Sequence, residues 1–278
     1  MEMCKVKIYI CCHKPYDGYR DEVYTPIHLG RAVSSCTDQM RDMVGDDTGD
    51  NISDRNIYYS EATGIYWVWK NVQDCEYVGI HQYRRFLANH YTNENIDSFF
   101  ADGTEVLMAR PYFCQGTNRF YIALGCMAME DLIILRSVIN RKYPDYLPTF
   151  DAVMNNHTSS FFNLFICRKS LFDEYAQWLF DILFQVERIY RPSPYPNAKR
   201  ALAYMSELLT PIYFLHNQNK IKYQLISTDG KVDLWPLKSR IKSFVFNKFI
   251  MPIIKDRPYE INHPSATQRL LKEGFDIQ

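Results

Sequence analysis

Residues 5–12 read KVKIYICC, an apolar run without clean polar alternation, closed by His13-Lys14-Pro15. A strand that is apolar on both faces needs cover on both faces, which is the situation of a parallel sheet between helices. Similar short runs recur at 76–80 (EYVGI), 104–109 (TEVLMA), 161–167 (FFNLFIC) and 221–226. Between them lie segments of helical periodicity: 60–72, with Ile65, Val68 and Trp69 on one stripe, then 128–141, 145–155, 170–190 and 197–216. Strands alternating with helices predict an α/β chain on a mostly parallel sheet, with ligands at the carboxyl ends of its strands. Residues 15–56, rich in Asp, Gly, Asn and Ser, are expected to form a long loop with little regular structure, of the kind that carries function.

Composition excludes several classes. The 278 residues carry 32 basic and 32 acidic side chains, without the basic excess of a dedicated nucleic-acid binder. A hydrophobic share of 47% and an aromatic share of 15% are ample for a core. The eight cysteines show no C-x-x-C spacing, and most sit in apolar runs, so they read as buried free thiols of a cytoplasmic protein rather than a disulfide or zinc framework. The first residues, MEMCKVKIYICCHK, lack the form of a secretory signal. No apolar run approaches the ~18 residues of a membrane span.

The absent motifs narrow the chemistry. There is no G-x-G-x-x-G after the first strand, no G-x-x-x-x-G-K-[ST], no G-x-S-x-G, no H-E-x-x-H and no D-x-D. Three constellations stand out. His81-Gln82-Tyr83-Arg84-Arg85 follows a buried strand at the end where ligands bind. Guanidinium forks suit diphosphate oxygens, although two such arginines can equally pair with structural acids. The loop GDDTGDNISDRN (45–56) feeds the aromatic helix, where Asp and Asn can read a nucleoside or simply make turns and caps. Last, Glu130, Asp131, Asp151, His157, Asn163 and Glu207 are polar residues in apolar surroundings; a carboxylate in such a place is paired, at a rim, or functional.

At these residues the chain resembles the bacterial capsular and exopolysaccharide glycosyltransferases grouped under a domain of unknown function. The pieces that carry the resemblance are His13-Lys14-Pro15-Tyr16, the segment Arg41–Ser53 ending in Thr48-Gly49-Asp50-Asn51-Ile52-Ser53, Tyr59–Asn71 (YSEATGIYWVWKN) and Tyr77–Phe86 (YVGIHQYRRF). Weaker pieces are Lys142–Tyr146, Phe162–Tyr175 and Ser206–Leu209, so the match runs to about residue 226. The chain departs from the family's H-Y-R-R by the insertion of Gln82, carries Leu208 where the family has an arginine, and replaces a histidine-rich stretch with Phe120–Met129.

The resemblance implies a GT-A-like fold over residues 1–235 and transfer of a sugar from a UDP-sugar, UDP-galactose in one of its ring forms being the leading candidate, to a growing lipid-linked glycan. It implies that His13, Lys14, Tyr16, Asp50, Asn51, Ser53, Glu61, Tyr66, Trp69, His81, Tyr83, Arg84, Arg85 and Asn163 bind the donor. Arg84 and Arg85 then stand where GT-A enzymes place D-x-D and a metal, so no metal ligands are assigned, and Mg²⁺ or Mn²⁺ is the only cofactor to consider. An inverting reaction needs a general base, with Glu207, Asp131, Asp151 and His157 as candidates. The alternative is a non-catalytic module that binds nucleotide sugars or carbohydrate. Within the tail, 236–278, the stretch 237–255 carries Lys238, Arg240, Lys242, Lys248 and Lys255, no acid, and interleaved Ile, Phe, Val and Met. Such a segment suits the inner face of the cytoplasmic membrane, or a docked helix with a solvated basic edge.

Overall fold

The 5–12 run forms strand β1 (Cys4–Cys12), and the chain continues through β2 (Tyr24–His28), β3 (Val44–Gly45), α1 (Asn56–Tyr59), α2 (Ala62–Asn71), β4 (Cys75–Gln82), β5 (Phe86–Leu87), α3 (Ile96–Phe100) and β6 (Val106–Ala109). Next come β7 (Tyr112–Phe113), α4 (Asn118–Gly125), α5 (Met129–Lys142), α6 (Leu147–Asn155), β8 (Thr158–Ser159), β9 (Phe165–Arg168), α7 (Lys169–Ile189) and α8 (Ala201–His216). The chain ends with β10 (Ile221–Gln224), β11 (Ile226–Thr228), β12 (Lys231–Asp233), α9 (Leu237–Val245), a π-helical turn (Phe246–Ile250), α10 (Met251–Ile254) and α11 (Pro264–Lys272). This computed structural model describes residues 4–196, 198–233, 237–254 and 264–276; Lys255 of the basic stretch lies outside the described residues.

Two units interleave in sequence. The first comprises Met1–Arg110, Ser160–Trp178 and Asn217–Leu234, and holds a seven-stranded sheet of order β10-β6-β9-β4-β1-β2-β3. All pairings are parallel except those of β9, which runs antiparallel to both β4 and β6. Side chains alternate across a strand, and β1 is apolar at both parities because both faces are covered. Val6, Ile8, Ile10 and Cys12 join a core with Tyr16, Tyr24, Met40, Tyr91, Phe100 and Leu107. Tyr9, of the other parity, packs edge-on against Trp67 of α2 at 5.9 Å, and a Cβ at Gly64 of α2 would stand 3.3 Å from Cys11 Sγ.

The sequence expectation for residues 15–56 is corrected here: this stretch contains β2 and β3. Pro26 and the acids around it mask β2 in the sequence. The strand starts where the Asp21 carboxylate accepts the N–H groups of Val23 (2.9 Å) and Tyr24 (2.7 Å). The run at 161–167 is also only partly strand, since β9 begins at Phe165 after Phe162 and Asn163 take positive φ values of 80° and 52°. A small antiparallel sheet, β12-β11-β5, completes this unit.

The second unit comprises Pro111–Ser159, Leu179–His216 and Trp235–Gln278, so the segment from Leu237 onward belongs to it. It is mainly helical. Arg136 of α5 grips Asp151 of α6 through two hydrogen bonds (2.8 and 2.7 Å), and Lys142 and Tyr143 both donate to Asp181 of α7 (2.6 and 2.8 Å). All eight cysteines are free thiols. No helix among the described residues is long and apolar enough to cross a membrane.

Candidate functional site

The acidic loop is built around Asp46. Its fully buried carboxylate accepts the N–H groups of Gly30 (2.8 Å) and Arg31 (3.1 Å) and the hydroxyls of Thr63 (2.7 Å) and Ser53. One side chain thereby ties the end of β2, the loop and the start of α2 together. The other loop residues complete the staple. Tyr66 donates to Asp50 (3.0 Å), Trp67 Nε1 to the Thr48 carbonyl (3.0 Å), Asn71 to the Asp50 carbonyl (2.8 Å), and Asn51 accepts the Ser53 N–H (3.2 Å). Trp69 is half-buried with Lys70 Nζ 3.4 Å from its ring centroid. His13 Nε2 lies 3.4 Å from both Glu61 Oε1 and Ser60 Oγ, and Lys14 is exposed.

A cavity of about 710 Å³ opens beside the residues that follow β1 and β4. Tyr16, Tyr83 and Arg84 line it, together with Tyr19, Tyr24, Phe86, Asn89, His90 and the turn Asp229-Gly230. Six of its lining residues carry aromatic rings. Tyr24 and His90 stack at 5.4 Å and 8°, and Tyr19 meets both rings edge-on. Tyr16 donates to the Tyr19 carbonyl (3.2 Å), and burial pushes its phenol up to about 12. Gly18 is required by this packing, since a Cβ there would stand 2.3 Å from the end of the Tyr16 ring. The Asp229-Gly230 turn takes φ values of 50° and 74°, the two left-handed residues of a tight β11–β12 hairpin. Arg84 is exposed, its guanidinium 4.7 Å from the Tyr83 ring centroid. Among the described residues it has no ion pair, so its fork is open to an anion.

Arg85 does not line this cavity. It donates to Gln82 Oε1 (3.0 Å) and stacks on Phe162 at 4.2 Å, while Gln82 donates to the Phe162 carbonyl (3.0 Å). Gln82 thus anchors the left-handed pair Phe162-Asn163, of which Asn163 is buried. His81 is fully buried, in contact with Tyr24 (6.1 Å) and Phe86 (5.7 Å) behind the wall. Burial alone drives its pKa down to about 3, so the ring is neutral, and neither ring nitrogen has a partner.

The sequence reading did not anticipate Asp46, Tyr19, Tyr24, His90 or Asp229. Asp46 is one acid among eight in residues 21–55; its one signal is the small residues Gly30, Ser53 and Thr63 around it. Cavity residues from 19, 90 and 229 share no local pattern.

The candidate bases lie in the second unit. Asp131 is buried and accepts the Ala128 N–H (3.2 Å) at the start of α5; burial raises its pKa to about 6, a value suited to proton transfer near neutrality. Asp151 is held by Arg136. His157 Nδ1 bonds the Gly116 carbonyl (2.7 Å), and Glu207 is half-buried on α8. Among the described residues no three His, Cys, Asp or Glu side chains converge as metal ligands.

Residues 7–218 match the family model described as a domain of unknown function, DUF4422. In three dimensions the chain is similar to the apo structure of the WbbM bifunctional glycosyltransferase, with a TM-score of 0.70 and 26% sequence identity. That similarity covers 82% of this chain and 46% of the other, so the present chain spans about half the length of that protein. No curated protein matches the sequence.

Proposed function

The chain belongs to the DUF4422 family, and from that premise we propose that it is a glycosyltransferase, moving a sugar from a nucleotide-sugar donor to a glycan acceptor. The observation that carries the reading is the aromatic cavity with Arg84 on its wall, in a fold shared with a glycosyltransferase. Tyr16, Tyr19, Tyr24 and Tyr83 offer flat faces to a base and ribose. Arg84 offers a fork to the diphosphate, where it would stabilise the charge that grows on the leaving group. Arg85, held on Gln82 and Phe162, shapes the loop behind it. A UDP-sugar is the donor class proposed, with UDP-galactose in pyranose or furanose form the first to try. The acceptor proposed is a lipid-linked glycan, met at the inner face of the cytoplasmic membrane. If the transfer inverts, the base is to be sought among Glu207, Asp131, Asp151 and His157, with Asp229 at the cavity wall added to that set.

The test is calorimetry against a panel of nucleotide sugars, followed by a turnover assay on each hit. Saturable binding of one donor and release of its nucleoside diphosphate with acceptor support the proposal. Binding without turnover reduces the protein to a nucleotide-sugar-binding module. Turnover that persists in chelator supports the role given to Arg84; loss with chelator and return with Mn²⁺ overturns it.

A further inference from the structure

The segment 237–254 is docked with its polar side inward. Ser243 is 4% exposed and donates to the Phe113 carbonyl (3.3 Å). Asn247 accepts the Gly116 N–H (2.6 Å) and donates to the Cys114 carbonyl (3.1 Å), and Met251 is buried beside them. The outward side carries Leu237, Ile241, Phe244, Phe249 and Ile253, the last three exposed by 58%, 58% and 79%. Amphipathic helices of soluble domains have the opposite polarity, because apolar area left in water costs about 25 cal/mol per Å².

The backbone preserves this outward stripe. Residues 237, 241 and 244 share one face at ~3.6 residues per turn. A regular helix would next place residue 248 there, which is Lys. The π turn Phe246–Ile250 bonds one residue further along, which delays the phase and brings Phe249 and then Ile253 back into line. Lys238 and Lys242 border the stripe on one side and Arg240 and Lys248 on the other. Lys248 Nζ lies 5.6 Å from the Phe244 ring centroid and 5.5 Å from that of Phe249, its stem along apolar surface and its charge at the rim. Residues 237–254 contain no acid.

We propose that this face is an interfacial docking surface for an anionic phospholipid bilayer. An apolar stripe with a basic rim of one sign suits acyl chains beneath anionic headgroups. A second copy of this chain would bring the same basic rim into the interface, a like-charge contact that opposes pairing. The segment lies on the bilayer rather than through it, since no described helix is long and apolar enough to span one. The membrane location within the proposed function rests on this surface, whereas the transfer reaction does not, so vesicle binding and turnover fail separately.

The experiment is flotation of the full-length protein with phosphatidylcholine vesicles, with and without about a third phosphatidylglycerol. Flotation with the anionic vesicles alone, weakening as salt is raised, is expected. Ile241→Ser with Phe249→Ser and Ile253→Ser should lower the partition coefficient at least tenfold. Lys238→Gln and Lys242→Gln should each lower it about fivefold. All five positions are exposed, so circular dichroism and the melting temperature should stay unchanged. The proposal is overturned by absence of binding to anionic vesicles, by equal binding to neutral ones, by insensitivity to both sets of substitutions, or by a dimer that the triple substitution abolishes.

Discussion

Replacing Asp46 by alanine should destabilise the sheet-bearing unit by about 3–4 kcal/mol. The carboxylate is fully buried and accepts four donors. Two are main-chain N–H groups, from Gly30 and Arg31, which donate no other hydrogen bond among the described residues. Orphaning each costs about 1–3 kcal/mol. The hydroxyls lose less. Thr63 already donates to the Ser60 carbonyl at 3.0 Å, and the Ser53 O–H, although it loses its acceptor, can turn while Oγ keeps the Ala32 N–H at 3.2 Å. Relief of the carboxylate's own desolvation offsets part of the sum. The remainder is a large fraction of the ~5–15 kcal/mol that holds a domain together, and corresponds to a fall in melting temperature of about 6–16 °C. Asp46→Asn should recover only part of it, because the amide NH₂ confronts donors with a donor. Urea unfolding followed by tryptophan fluorescence is the assay, since Trp67 donates to Thr48 inside the same loop. A loss below about 1 kcal/mol for Asp46→Ala, or full stability in Asp46→Asn, would refute the reasoning.

Three further outcomes are expected. Arg84→Ala should weaken donor binding about 10- to 100-fold by calorimetry, the worth of a hydrogen bond to a charged group, with an unchanged melting temperature; Arg84→Lys should recover the charge but not the fork. Gly18→Ala should displace the Tyr16 ring, weaken donor binding about tenfold and cost about 1–3 kcal/mol of stability. Asp131 has a folded pKa of about 6 against an ordinary 3.8; the folded state therefore holds its proton more tightly, and stability falls as pH rises from 3.8 to about 6. The fall is about 3 kcal/mol at most, and should vanish in Asp131→Asn when urea midpoints are compared across that range.

The sheet was legible in the sequence where burial on both faces left a continuous apolar run, as in Ile8–Cys12 and Tyr77–Ile80. It was not legible at β2, whose strand character depends on the Asp21 cap and on pairing with Ile8–Cys12 rather than on its own composition. The antiparallel course of β9 was equally hidden, because FFNLFIC is apolar in either direction and the left-handed pair Phe162-Asn163 owes its place to Gln82 and Arg85. Arg84 and Tyr83 could be found from the strand before them. Tyr19, His90 and Asp229 could not, since only the fold brings three separate loops to one wall.

β1 separates two groups among the sequence-predicted donor residues. Its alternating side chains face opposite sides of the sheet. Tyr9 meets α2 on one side, and Cys12 joins Tyr16 and Tyr24 on the other. Asp50, Asn51, Ser53 and Tyr66 are on the acidic loop and α2, and their polar atoms are largely engaged in holding that loop to its helix. Tyr16, Tyr83 and Arg84 face the cavity. A close match to one sequence motif therefore covers two kinds of work. Residues that hold the loop to its helix should reveal themselves by lost stability at little cost in donor affinity per folded molecule. Residues on the cavity wall should show the reverse. His13, at the end of the same strand and within reach of Glu61 and Ser60 on the α2 side, falls with the first group, and its substitution should lower stability at little cost in donor affinity per folded molecule.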